Sequence, residues 1–446
     1  MLTKNDAKNI SNRILDYSKA DQTEIIIMSN TSALTRYANN AITQNVTDDQ
    51  ITVVIRVITE NKTAKVVTNQ YDDESLRSAI DSAIIAAKNR QEEKITTALL
   101  PAQKHKNINS YCEATAKTTP NQRAAAIKKI VGMCKKNNIN SYGTFSTAEN
   151  MLSIANSRKL FAFHKSTIAS ISCTASTDTS SGWAEQSSKD VRKLNPDDVA
   201  RTAIEKALLC RNPQPIPAGR YTVILEPSAV ANLTGLVMFT TFSGLAFHEG
   251  RSFMSGKLNT PITGEKITLI DDPFHPLAMG IPFDFEGRPK KKIVLVNKGV
   301  AKNIVYDRKT AKKFGKKPTG HTFPDSDSHG GIPLNTILAG GNSSIKEMIA
   351  STKKGLLVTD FHYTNILDPM KTIMTGMTRN GTFLIENGKI TAGVKNLRFT
   401  ENVAEAFKKT EMLTKTLYYT PAFFGGGFVV PAMKIADFNF SSETKF

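Results

Sequence analysis

The residues best suited to chemistry are His248 and Glu249, adjacent at the end of an uncharged run from Pro227 to Phe247. A His-Glu pair after a buried helix is how zinc hydrolases supply a metal ligand and a general base for the metal-bound water. The common spacing places a second His four residues on, one turn along the same helical face. Here that position is Ser252 and the next is Phe253, and neither ligates zinc in the ordinary way. The pair can equally end the helix, with the imidazole meeting the negative end of the helix dipole. Two further histidines, His321 and His329, flank a glycine-rich loop that also holds Asp325 and Asp327. Two imidazoles and two carboxylates in nine residues suit a divalent cation. A surface loop has the same composition. No nucleophile elbow, Walker loop or Rossmann glycine pattern occurs. Cys112, Cys134, Cys173 and Cys210 have no activating company in sequence, which gives a thiol nucleophile little support.

A second kind of chemistry is electrostatic. The formal net charge is +18, and between Arg288 and Lys317 twelve Lys and Arg face a single Asp, Asp307. Such a segment suits a polyanion: nucleic acid, an anionic membrane face or an acidic peptide. Lys290, Lys291 and Lys292 are its candidate peptide- or anion-binding residues. Lys far exceeds Arg, aromatic interleaving is sparse, and no helix-turn-helix, zinc-finger or RNP pattern accompanies it, which argues against nucleic acid. A solvated hairpin and helix explains the same charges.

The elements that must position these residues are legible in outline. A chain of 446 residues with 40% hydrophobic and 22% charged residues is globular, and its length suggests about two to three domains. Four scattered cysteines exclude a disulfide framework and fit a reducing compartment. Met1 to Gln22 carries Lys4, Asp6, Lys8 and Arg13 without an apolar stretch, so no secretory signal is expected and the protein reads as cytoplasmic. The uncharged run Pro227 to Phe247 is long enough on paper for a bilayer, but Ser228, Asn232, Thr234 and Gly235 dilute it. It reads as one long helix buried in a protein core.

Short strands at hairpin spacing, Thr23 to Ser29, Ile42 to Val46, Ile51 to Thr59 and Thr63 to Thr68, precede a helix over Asp72 to Arg90. Thr96 to Thr119 is a loop, then a basic helix over Asn121 to Asn137 leads to strands between Ile139 and Thr174 and a helix from Asn195 to Leu209. The echo of strands followed by a helix suggests a structural duplication. Past Pro213, a strand, the buried helix and many short strands follow, with a last helix over Glu401 to Thr414 and a closing strand over Phe428 to Asp437. The expected fold class is α+β. An N-terminal unit spans 1–95, a central α+β unit 96–213 and a larger β-rich C-terminal domain 214–446.

Several blocks together resemble the TldD/PmbA (TldE) family. They include the strand around Glu24 to Ser29, Arg36 to Asn40, Ser252-Phe253 with Gly256-Lys257-Leu258, and Leu269 to Pro273. Pro282 to Gly287, Thr319-Gly320-His321, Leu384 to Ile390 and Val430 to Ile435 follow in order. The resemblance implies one of two kinds of subunit. TldD-type chains resemble zinc metalloproteases that combine an HExxxH motif with a late Cys. PmbA-type chains lack the motif and pair with a TldD-type chain around a chamber that admits unfolded peptides. An older family label is modulator of DNA gyrase. Here Phe253 stands where the second His would be, and no Cys follows Cys210. Two of three expected ligands are absent.

The chain is therefore expected to be a PmbA/TldE-like, non-zinc subunit of a peptide-processing protease assembly, a metallopeptidase relative whose own metal site is incomplete. Its expected partners are an extended peptide, docked by β-augmentation, and a TldD-like subunit or a second copy of itself. No cofactor is expected. The rivals are an active metallopeptidase with a rebuilt zinc site (His248 as ligand, Glu249 as base, His321 or His329 as replacement ligands), a basic nucleic-acid-associated protein, and a homodimeric binding module without chemistry.

Overall fold

The computed structural model describes residues 1–324, 326–421 and 427–444, without the side chains of 326 and 327. Helix α1 (Lys4–Tyr17) starts on a reciprocal capping box between Thr3 and Asp6, an element that its sparse apolar residues do not announce. Strands β1 (Gln22–Ala38), β2 (Ala41–Thr59) and β3 (Lys62–Thr68) form an antiparallel meander, and α2 (Asp73–Lys88) starts on an Asp72 cap. The loop that follows holds one helical turn, α3 (Glu113–Ala116). Then come α4 (Pro120–Lys136), β4 (Asn140–Asn156), β5 (Phe161–Ser176), β6 (Ser181–Ser188) and α5 (Pro196–Leu209).

β1 pairs with β4 from Glu24↔Asn156 to Tyr37↔Gly143. The strands of residues 1–95 and 96–213 thus share one six-stranded sheet, ordered β3-β2-β1-β4-β5-β6. Side chains alternate across it. Ile25, Ile27, Val53 and Ile55 pack with Ile10, Ile14, Leu76 and Ile80 of α1 and α2. Phe145, Ile171 and Cys173 pack with Ile127, Ile130, Val199 and Ala203 of α4 and α5. On the opposite face Ile26, Met28, Leu152 and Ile154 meet Phe283 of the C-terminal half. Both faces are covered, which is why β1 reads as the unbroken run Ile25-Ile26-Ile27-Met28 rather than as alternation.

The capping box of α4 offers a local test. Thr119 accepts from Gln122 N through its hydroxyl, and Gln122 Oε1 accepts from Thr119 N at 2.8 Å. Thr119→Ala is expected to cost about 1 kcal/mol, read as a lower urea midpoint. An unchanged midpoint would mean the box does not hold the helix start.

The C-terminal half runs β7 (Gly219–Leu225), α6 (Pro227–Thr241), α7 (Gly244–His248), β8 (Leu269–Asp271), β9 (Ile293–Asn297), β10 (Val300–Ala301) and α8 (Arg308–Lys313). It continues α9 (Ser326–His329), β11 (Asn335–Leu338), α10 (Ile345–Ala350), β12 (Lys354–Asp368), β13 (Ile373–Glu386), β14 (Lys389–Gly393) and β15 (Leu397–Asn402). It ends α11 (Val403–Lys408), β16 (Thr410–Leu413), β17 (Tyr418–Pro421), β18 (Gly427–Val430) and β19 (Met433–Glu443). One sheet is ordered β10-β9-β8-β11-β18-β17, which leaves β17 at an edge. In the other, β12-β7-β19-β15-β13 closes on itself because β13 also pairs with β12. Closure removes open edges, and Phe361, Phe399 and Phe438 pack on one another within its core.

Strand content, 41% against 25% helix, makes the chain a mixed α+β protein. Three expectations need correction. The helix expected over Pro227 to Phe247 is broken at Phe242-Ser243. There Val305 N donates to Phe242 O and Gly244 N donates to Val305 O, at 2.9 and 2.8 Å, so a crossing strand segment takes the hydrogen bonds a continuous helix would use. The helix expected over Glu401 to Thr414 shrinks to α11. Asn402 caps it, and Thr410 to Leu413 pairs with β19 instead. The closing strand is two strands in different sheets, β18 and β19, parted at Pro431-Ala432. Among the described residues no helix is long and apolar enough to cross a membrane.

Candidate functional site

His248 ends α7, where its Nε2 lies 3.0 Å from Tyr306 Oη and its ring stacks on Phe314 at 4.3 Å between centroids. Burial and the charge of Lys316 hold its pKa below the ordinary imidazole value. Glu249 is held by Arg251 at 2.6 Å and Lys313 at 3.0 Å, and these two cations pull its carboxyl below the usual range. The glutamate is thus an ion-pair partner for the basic segment, with no imidazole aimed at the same point.

His321 is fully buried. Its Nε2 bonds Asp271 Oδ2 at 3.0 Å and its Nδ1 meets Thr319 Oγ1 at 2.9 Å, so both ring nitrogens are committed within the core. His329 ends α9, with Nδ1 at 3.0 Å from Ser328 Oγ and its ring near Phe239. Asp325 and the side chain of Asp327 lie outside the described residues. Three or four converging N, S or O donors are what zinc requires. Among the described residues no group of three or more His, Cys, Asp or Glu side chains is gathered in that way. Cys134 and Cys173 sit in the core of the first sheet and Cys210 is also buried. The described donor set does not fit a zinc site.

The basic segment is only partly a surface. Lys290 is 7% exposed, under the opposing pulls of burial, which lowers its pKa, and the carboxylates of Asp271 and Asp284. Lys291 and Lys292 are exposed, the latter 4.0 Å from Asp272. Arg308 pairs with Glu286, Lys309 with Glu93, and Lys312 donates to Thr96 O. Much of this charge ties the C-terminal half to the loop after α2.

A large opening lies elsewhere. A groove of about 550 Å3 separates β6, an edge of the first sheet, from β17, an edge of another. Trp183 to Ser188 line one side and Tyr418 to Pro421 the other. The start of α6 forms part of the floor, where Glu226 holds Lys206 at 2.5 Å. Behind it Asp360 Oδ1 accepts from Ser228 Oγ at 2.7 Å and from Asn232 Nδ2 at 3.0 Å. Burial pushes Asp360 up to about 6. Burial, then the nearby Asp360 charge, pushes Glu185 up to about 7. Burial and Glu185 raise the Tyr419 hydroxyl as well. Residues of the basic segment do not line this groove. Sequence motifs miss the site because Glu185, Glu226 and Asp360 lie on separate elements. The visible signal was the one Trp, Trp183, in a Ser/Thr-rich stretch.

Two descriptions of known domains match the chain: PmbA/TldA metallopeptidase C-terminal domain over residues 218–442 and PmbA/TldA metallopeptidase domain 1 over residues 23–87. A metalloprotease of Methanothermobacter thermautotrophicus is 28% identical over 223 residues, 48% of this chain and 47% of that protein. A metalloprotease PmbA homolog of Buchnera aphidicola is 25% identical over 279 residues, 60% of this chain and 59% of that protein. The chain spans about half the length of the first curated relatives it matches. Among solved structures, TldE from Thermococcus kodakarensis superposes with a TM-score of 0.88 at 22% identity, covering 97% of this chain and 99% of that one. A chain from Thermotoga maritima described as a modulator of DNA gyrase gives 0.86 at 19% identity, again over 97% and 99%. At these identities the likeness to the solved structures is one of fold. The match to the C-terminal domain takes in half of the sequence and contains β7, α6 and both C-terminal sheets, and on it this chain belongs to the PmbA/TldD metallopeptidase family.

Proposed function

We propose that this chain is a PmbA/TldE-like subunit of a peptide-processing assembly, one that holds extended peptide without a zinc site of its own. The observation that carries the reading is the groove between β6 and β17. Two sheet edges face each other across it, and a sheet edge offers unpaired N–H and C=O groups to an added strand. The scattered donors around His248 and His321 support the non-zinc part. The partner is a TldD-like subunit or a second copy, and the assembly is cytoplasmic. Lining charges are balanced, with Glu185, Asp198 and Glu226 against Lys189, Lys193 and Lys206, so main-chain pairing rather than charge selects the ligand.

Trp183 lines the groove and is the only Trp, which makes it a built-in reporter. Titration with an unstructured peptide is expected to shift its emission. N-methylation of alternate backbone nitrogens in one register is expected to weaken binding by roughly tenfold or more, while the other register changes little. Equal effects in both registers would overturn strand addition. Stoichiometric zinc that disappears in His248→Ala would overturn the non-zinc reading and favour the rebuilt metallopeptidase.

A further inference from the structure

A second cavity, about 380 Å3, opens where the face of the first sheet turned away from α1 and α2 meets the C-terminal half. That size is in the range of small-ligand sites. Its walls are apolar: Ile26, Met28 and Val54 come from the sheet, and Phe285 and Phe323 come from the opposite side. Its polar lining is different. Glu24, Glu286 and Asp307 all line it, and they are 3%, 7% and 2% exposed.

Arg56, Lys65, Arg90 and Lys309 line the same cavity, and each has a partner: Lys65 donates to Pro324 O, Arg90 donates to Thr63 O and Lys309 pairs with Glu93. Arg56 Nη2 lies 2.9 Å from Glu24 Oε1 and 3.6 Å from Glu286 Oε1. Arg308 Nη1 lies 3.7 Å from the same Glu286 oxygen, and Thr322 Oγ1 donates to Glu286 Oε2 at 2.9 Å. Asp307 uses Oδ1 to cap α8, accepting from Thr310 N at 2.9 Å. Among the described residues two acceptors, Glu24 Oε2 and Asp307 Oδ2, are buried without a hydrogen-bond partner, while Arg308 Nη1 meets Glu286 as an ion pair without a hydrogen bond. A buried anionic oxygen without a donor is costly. An anionic ligand would leave both oxygens as they are. The carboxylates are not gathered tightly enough to count as a metal-binding group. What these two oxygens lack is a donor within reach, and an ammonium carries three N–H donors and no acceptor.

We propose that this slot binds a primary ammonium carried on an apolar body, the N–H donors taking the free oxygens of Glu24 and Asp307 and the hydrocarbon filling the walls. This site is separate from the β6–β17 groove, and its success or failure leaves the peptide-holding reading untouched. The ammonium can come from a free amine or amino acid, or from the first residue of a peptide.

Calorimetry on the full chain separates these cases with four probes: leucinamide, N-acetylleucinamide, Leu-Gly-Gly-amide and its N-acetyl form. Binding of the free-amine probes with loss of binding on acetylation is the expected result. Tighter binding of the tripeptide than of leucinamide assigns the ligand as a peptide N-terminus; binding of leucinamide alone assigns a free amine. Glu24→Gln keeps the acceptor for Arg56, and Asp307→Asn keeps a good N-cap. Each is expected to weaken leucinamide by roughly tenfold or more. Equal binding of free and acetylated probes overturns the proposal, as does no binding of any probe at millimolar concentration. The acetylation comparison uses the unaltered protein, so it stands even if a variant fails to fold.

Discussion

Asp271→Ala is expected to destabilise the protein by about 3–5 kcal/mol, read as a large fall in the urea midpoint. Asp271 lies on β8, an interior strand of the sheet that ends in β17. Its side chain and that of His321 are 0% exposed. One carboxylate oxygen meets His321 Nε2 at 3.0 Å and the other accepts from Asn335 N at 2.8 Å. Burial pushes this carboxyl up, but the charge and hydrogen bond of His321, with Lys290 beyond, pull it below its usual value. Alanine strands His321 Nε2 and Asn335 N–H in the core and removes one of the two carboxylates that oppose the lowering of the Lys290 pKa by burial. Asp271→Asn keeps the shape and one acceptor but loses the charge, so its midpoint should fall between alanine and wild type. A midpoint for Asp271→Ala within error of wild type would show that the cluster contributes no net stability.

The same cluster shows what a linear sequence conceals. His321 lies eight residues from His329 with two Asp between, and that local company suggested a metal loop. The imidazole's real partner, Asp271, sits on β8, 50 residues earlier in the chain, and only the folded chain brings the two together. The sequence pairs Glu249, as general base, with His248, as metal ligand, yet the partners of Glu249 are Arg251 and Lys313. Elements with strong local signals were legible: α4 began at a Thr-Pro start with a capping glutamine, and α2 and α5 at Asp72 and Asn195 caps. The β-branched runs of β1 and β2 were visible as strands, although shorter than the 17- and 19-residue strands they become. Their outer halves are polar and are held by ladder pairing such as Leu34↔Val46 rather than by an apolar stripe. The groove was not legible, because strand edges are a property of sheet order. Neither β6 nor β17 announces in its own residues that it will lack a neighbour.

Glu286 predicts how stability depends on pH. It lies where the first sheet meets the C-terminal half, and burial pushes its pKa from 4.5 up to about 7. Arg56 and Arg308 oppose that rise, while Asp284 and Glu24 add to it. The folded pKa is raised above the unfolded one, so the folded chain holds a proton that the unfolded chain releases. This contribution is fully present below about pH 4.5 and is lost as pH rises to about 7. Its ceiling is on the order of 3 kcal/mol. Glu185, raised to about 7, and Asp360, raised to about 6, act in the same direction in the groove. Carboxylates held below their usual values, such as Asp6, Asp72 and Asp437, act in the opposite sense but at more acid pH. His164, lowered to about 4 by burial, and His248, His275 and His362, also lowered by burial, act in the opposite sense within the same window, so the contribution of Glu286 is read as the difference in urea midpoint between wild type and a variant. Glu286→Gln stays neutral throughout and keeps an acceptor for Thr322. Its stability relative to wild type should improve between pH 5 and pH 7.5 by up to the same order. A difference between the two proteins that stays constant from pH 5 to pH 7.5 would mean that Glu286 is already ionised in the fold, with Arg56 and Arg308 outweighing its burial.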